Sequence, residues 1–140
     1  MKKIISATIL ASALVSGVSM ADSISSVKSQ IEGVVSHYME GLCQGDIDKM
    51  SEVYYSERIR LLGKRSKEVS EDCLKSGGLS HVKVHIDPSE FNNLYMVVGQ
   101  MHVNVEVTYK NNVTEEGIAY VDNGTMNNTN KLTLYSQITF

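Results

Sequence analysis

Four histidines, two cysteines and several tyrosines that stand near carboxylates are the residues of this 140-residue chain with types suited to chemistry. His81 and His85 are four apart, and in a strand that spacing separates them by roughly 13 Å, too far to share one metal ion. His102 reaches either of them only if the strand register brings it alongside, so the plainer account of His81 and His85 is two surface histidines on the polar edge of the sheet. His37 precedes Cys43 by six residues and could in principle activate its thiol. Cys73 offers that sulfur a bonding partner instead, and a bridge accounts for both cysteines. No Gly-x-Ser-x-Gly elbow occurs, and no histidine-acid pair is placed to activate a serine. Gly77-Gly78 lacks the lysine and the spacing of a phosphate-cradling loop. These residues assign no catalytic group, no metal and no cofactor.

Charge narrows the partners. Arg58, Arg60, Lys64, Arg65 and Lys67 form a basic group that could dock an acidic partner, yet Glu57, Glu68 and Glu71 lie among them and point to an ordinary solvated segment. The whole chain has 13 basic and 16 acidic residues, a formal charge of −3. That balance gives no general attraction to nucleic acid or anionic lipid. Asn112-Val113-Thr114, Asn123-Gly124-Thr125 and Asn127-Asn128-Thr129 match glycan acceptors. With a start that looks bacterial, they read as turn asparagines.

The first 21 residues look like a removable address. Lys2 and Lys3 open it, Ile4 to Val18 forms an almost uncharged apolar run, and Ser19-Met20-Ala21 places small residues where a signal peptidase reads. Cleavage near Ala21 leaves one domain, residues 22–140, in the periplasm or outside the cell and without a stable membrane insertion. In such a compartment Cys43 and Cys73 are expected to be disulfide-bonded, which closes a loop worth about 3 to 4 kcal/mol in the chain-entropy picture.

The elements that must position these residues start with Ile24 to Leu42. Ile24, Val27, Ile31, Val34, Val35, Tyr38 and Leu42 recur at steps of three and four, the stripe of one helix face. Burying each is favourable by roughly 1.5 to 3 kcal/mol as an upper figure, so a broad apolar surface must cover the stripe. The spacing predicts a helix from about Ser23 to Gln44, closed by Gly45. A second helix, capped by Asp46, is expected from Ile47 to about Tyr55 with Ile47, Met50, Val53 and Tyr54 on one face. Arg58 to Leu62 reads as a short strand. A third helix from Ser66 is expected to carry Val69, Cys73 and Leu74 inward and to stop at Gly77-Gly78.

From Leu79 onward the pattern reads as sheet. Val82, Val84 and Ile86 alternate with polar residues until Asp87-Pro88-Ser89 breaks the strand. Met101, Val103, Val105, Val107 and Tyr109 give five matches to period two, and Gly99 reads as a bulge in a strand running back to Leu94. Val113 to Val121 follows a turn at Lys110-Asn111-Asn112. After a polar loop at Asp122 to Asn130, Leu132, Leu134, Ile138 and Phe140 alternate to the end. The fold class is α+β, a curved antiparallel sheet of about four strands wrapped around a long N-terminal helix, with two shorter helices.

The order of these elements, the corner Gly45-Asp46, the following Tyr54-Tyr55 and the pattern from Val98 to Val105 resemble the nuclear transport factor 2-like superfamily, a cystatin-like roll. The resemblance spans about Val27 to Phe140. It implies one of many trades, among them cyclases, an isomerase, dehydratases, transport adaptors and envelope scaffolds, so a site must decide. In the enzymes, the resemblance implies an acid on a cavity-facing strand position, with a tyrosine or second acid beside it. Here the positions expected to face the helix are apolar and Glu106 lies on the other face. The leading expectation is therefore a non-catalytic exported domain that binds another protein or a small apolar ligand. Tyr38, Tyr54, Tyr95, Met101 and Tyr120 are the candidates for lining a ligand pocket between helix and sheet. A small enzyme using Tyr38 or Tyr54 with Asp46 or Glu52 is the second reading. The third is an envelope component that pairs through the outer sheet face, as a homodimer or with another protein.

Overall fold

The computed structural model describes residues 20–55, 73–125 and 131–140. Helix α1 (Met20–Gln44) is followed at once by α2 (Ile47–Ser51). The corner between them is a Schellman closure. Gly45 takes φ +66°, its N–H bonds the Leu42 carbonyl at 3.2 Å, and the Asp46 N–H bonds the Gly41 carbonyl at 2.8 Å. Asp46 then caps α2 by accepting the Lys49 N–H at 3.1 Å.

Helix α2 ends four residues earlier than its periodicity predicts. The reason is competition for its backbone: the Tyr55 N–H bonds the Leu134 carbonyl at 2.7 Å, and the Leu134 N–H bonds the Val53 carbonyl at 2.8 Å. Residues 53–55 thus leave the helix and lie parallel to the last strand, joined by a Tyr54–Leu134 bridge. Met50, Val53 and Tyr54 are buried as expected, whereas Ile47 is exposed. Residues 73–75 are helical and give way at Gly77 and Gly78, both at positive φ. Cys73 is buried there, but Leu74, expected inward, is 64% exposed. The strand expected over Arg58 to Leu62 and the start of the third helix lie outside the described residues.

Four strands, β1 (Leu79–His85), β2 (Gln100–Tyr109), β3 (Thr114–Asp122) and β4 (Thr133–Leu134), form one antiparallel sheet in sequence order. The register pairs Val84 with Val105, Val103 with Ala119, and Met101 with Val121. Paired residues share a face, so the apolar positions of all strands converge on one side. That side curls around α1. Ile31, Val35, Tyr38, Met39 and Leu42 of the helix and Met101, Val103, Val105, Val107, Val121 and Leu134 of the sheet are buried in one cluster. Ile24, Val27 and Val34 pack on its edge.

Residues 88–98 correct the strand expected from Leu94. They form a continuous helical stretch through α3 (Pro88–Glu90), a π-turn (Phe91–Tyr95) and α4 (Met96–Val98). Asp87 caps it by accepting the Ser89 N–H at 2.9 Å, and Pro88 sits in the first turn, where its missing N–H costs nothing. The widened turn brings Phe91 and Tyr95 inward as a stacked pair, ring centroids 5.6 Å apart. Gly99 is therefore a helix terminus at φ +81°, not a bulge. The C-terminal alternation is also irregular: β4 has two residues, and pairing resumes only at a Thr139–Ile118 bridge. Phe140 is exposed and Thr133 is buried, the reverse of simple alternation.

Cys43 and Cys73 are disulfide-bonded with Cα atoms 5.1 Å apart, tying the last turn of α1 to residues 73–75. The closed loop of 30 residues predicts that the Cys43→Ser, Cys73→Ser double variant loses about 3 kcal/mol in urea unfolding, with its native secondary structure kept. An unchanged urea midpoint would show that the bond does not constrain the unfolded chain.

Candidate functional site

The five residues expected to line a pocket are distributed as follows. Tyr38 and Tyr54 are stacked at 6.0 Å between α1 and the segment after α2. Tyr95 and Met101 belong to the same buried cluster. Tyr120 is separated from them, because it pairs in register with His102, one residue out of phase with the inward Met101–Val121 pair. It lies on the outer face, edge-on to His102 at 4.5 Å. The acids proposed to work with the tyrosines are engaged elsewhere. Asp46 is the α2 cap, and Glu52 is 64% exposed with its Oε1 2.6 Å from His37 Nε2.

The histidines also find separate partners. His85 Nε2 is 2.8 Å from Glu106 Oε2, and His102 Nδ1 is 3.4 Å from Glu90 Oε1. His81 Nδ1 is 3.3 Å from Ser80 Oγ. These are solvent-facing surface contacts, and the two with glutamate are of the kind that contributes about 0 to 1 kcal/mol. Among the described residues no three His, Cys, Asp or Glu side chains come together as a metal site.

No sequence signal marks the most buried carboxylate among the described residues. Asp122, at 0% exposure, ends β3 opposite Gln100 and Thr133. Its Oδ1 accepts from Gln100 Nε2 at 3.3 Å and its Oδ2 from the Gly124 N–H at 2.8 Å. Gln100 Oε1 in turn accepts the Tyr120 hydroxyl at 3.0 Å, which makes one polar relay across the strand ends. Thr133 Oγ1 is buried beside it without a hydrogen bond among the described residues. Nothing in the local sequence marks this corner, since Asp122 has the outward phase of its strand and begins a polar loop. What buries it is the tertiary meeting of the strand ends.

A second feature lies farther along the outer face. A cleft of about 540 Å³ runs over the middle of β2 and β3, between His85 on one side and Thr139 and Phe140 on the other. Asn104, Glu106, Glu116 and Ile118 line it. Glu106 and Glu116 are directly opposed partners of the β2–β3 register. Two like charges so placed repel each other, and the His85 contact offsets that at Glu106.

Burial, followed by the negative charge of Asp122, pushes the Tyr95 phenol above its ordinary value of 10.0. Well below pH 10.0 both folded and unfolded chains keep that proton and the phenol adds no pH dependence. Above it the unfolded chain releases the proton first. The unfolded state then binds fewer protons, so stability falls with rising pH until the higher folded value is passed. Tyr95→Phe is expected to flatten this part of the alkaline loss, read as urea midpoints on either side of pH 10.0. Equal slopes in both proteins would contradict the placement of Tyr95.

No protein-family profile matches the chain, and no curated protein matches it. Among solved structures, it is similar to one from Campylobacter jejuni named "Putative NTF2-like transpeptidase". The TM-score is 0.55 at 10% identity, and the match covers 76% of this chain and 98% of the other. At that identity the likeness speaks for the fold alone.

Proposed function

From the nuclear transport factor 2-like fold that this chain has, we propose that it is an exported, disulfide-stapled binding or adaptor domain that performs no catalysis and meets its partner on the outer face of the sheet. The observation that carries this reading is the filling of the space between α1 and the sheet. Met101, Val103, Val105, Val107, Ala119, Val121 and Leu134 project there from the sheet, all apolar and nearly or fully inaccessible. A proton-transfer site of the kind the enzymes of this fold use needs an acid or histidine on the inward face, and the inward positions of the described strands from Met101 to Val107, Ala119, Val121 and Leu134 carry neither. The polar variety of the chain is instead displayed outward, in His85, His102, Asn104, Glu106, Glu116 and Tyr120. Polar groups around partly exposed apolar side chains are what a reversible protein or ligand contact uses.

The bonded cysteines support an oxidising compartment. The described residues contain no helix long and apolar enough to cross a membrane. These agree with an apolar leader that is removed near Ala21 and a product in the periplasm or the medium.

The test is expression of the full chain in a bacterium with a C-terminal tag. The expected product is found outside the cytoplasm, is shorter by roughly 21 residues at the N-terminus, and has no reactive thiol under denaturation. An uncleaved cytoplasmic product with two reactive thiols would overturn the exported reading. Turnover of a small carbonyl or hydroxy-acid substrate that Tyr38→Phe abolishes would overturn the non-catalytic one.

A further inference from the structure

We infer that the edge of β3 from Thr114 to Ile118 is a strand-addition site for an extended basic peptide, one that sets an aromatic ring over Gly117 and positive side chains against Glu116 and Glu115. This goes beyond the outer-face contact, to the strand edge that borders it. On that side β3 outruns its neighbour. Strand β4 pairs with Val121 and Asp122 alone, and sheet pairing returns once more, where the Ile118 N–H bonds the Thr139 carbonyl at 2.8 Å and the Thr139 N–H bonds the Ile118 carbonyl at 3.0 Å. In an antiparallel strand every second residue turns its N–H and C=O to the same side. Ile118 turns them to this edge, so Glu116 and Thr114 do as well, and among the described residues no backbone bond reaches them from that side. A row of such unpaired groups is what an added strand bonds.

What the site accepts is shown by the chain's own residues 138–140, which occupy its far end. The antiparallel continuation of the Ile118–Thr139 bridge puts Phe140 beside Gly117 and Ile138 beside Ala119, the two smallest residues of β3. A Cβ on Gly117 would stand 2.7 Å from the Thr139 carbonyl oxygen and 2.8 Å from the Phe140 ring, so the missing side chain is what lets strand and ring come in. Yet Phe140 is 45% exposed and a single bridge holds its neighbour, the mark of a placeholder that opens easily.

Beyond Phe140 the edge carries charge of one sign. Glu116 lies on the outer face opposite Glu106, and Glu115 stands at the rim of the inner side opposite Val107, both exposed. Tyr109 Oη donates to Glu115 Oε1 at 3.0 Å, and neither acid has an ion pair among the described residues. A strand running antiparallel from an aromatic residue over Gly117 meets Glu116 with its next side chain and Glu115 with the one after. Lysine or arginine at those two places gains charge-assisted contacts. A second copy offering its own β3 edge would instead bring these acids against their equals, and like charges so opposed repel.

The probe is the capped peptide acetyl-Gln-Ile-Thr-Phe-Lys-Lys-amide, and its control carries two glutamates in place of the lysines. Each is titrated at low salt into the folded chain and followed by amide chemical shifts. Saturable shifts at residues 114–118 are expected from the lysine peptide alone, and added salt is expected to weaken them. Thr139→Pro removes the N–H that holds the placeholder and is expected to tighten binding about tenfold. Glu116→Gln, at an exposed position, is expected to weaken it about fivefold. Equal binding of the two peptides, or unchanged affinity in Glu116→Gln, would overturn the basic partner. No saturable shift in either the parent chain or Thr139→Pro would overturn the edge site. Shifts at residues 102–106 with none at 114–118 would also reject it, while leaving the outer-face contact standing. Concentration-dependent shifts at 114–118 without peptide would replace the peptide by a second copy.

Discussion

The fold depends on one contact, the apolar stripe of α1 against the concave face of the sheet. Neither part is stable without the other. A helix with Ile31, Val35, Tyr38, Met39 and Leu42 on one side has no place for that side in water, and a strand with Val103, Val105 and Val107 on one face has none either. Their mutual burial positions everything else. The Gly45 closure and the Asp46 cap turn the chain back so that Met50 and Tyr54 close one side of the cluster. The π-turn supplies Phe91 and Tyr95 at another. The disulfide holds the end of the gripped helix to residues 73–75.

A period-two sheet that devotes one face wholly to packing leaves only the other for recognition, and the sequence of β2 makes the division sharp. His102, Asn104, Glu106 and Thr108 alternate with four buried apolar residues, so chemistry and stability are assigned to opposite sides of the same strand. Two histidine–glutamate contacts, His85 with Glu106 and His102 with Glu90, lie on this outward face, the first between neighbouring strands and the second where the helical stretch lies on the sheet, whereas His37 with Glu52 joins α1 to the end of α2. Outward charges at such sites are cheap to change without disturbing the core, which makes that face the natural place for specificity.

Much of this was legible in the residues. The helix stripe, its end at Gly45, the five-step alternation of β2, the turn before β3 and the cysteine pair all rest on local chemistry or on period, and the structure has each of them. The misread stretch, Leu94 to Val98, is instructive. An apolar run of that length fits a strand or a helix equally, and the capping signal that decides it, Asp87 accepting from Ser89 with Pro88 between, reads equally well as the end of the preceding strand. The shortening of α2 could not be read locally, because the groups that stop it belong to Leu134, some eighty residues away along the chain. The burial of Asp122 and the outward position of Tyr120 were hidden for the same reason. The first needs the meeting of three strand ends, and the second needs the register between β2 and β3.

If helix and sheet are a single cooperative unit with a filled interior, their amides open together. Native-state hydrogen exchange across residues 31–42 and 101–107 measures this directly. The account predicts that the slowest amides of both segments exchange with one free energy, equal to that of global unfolding in urea. Exchange of residues 31–42 at a clearly lower free energy, with 101–107 still protected, would mean that the helix leaves the sheet on its own and that the interior can open to ligand.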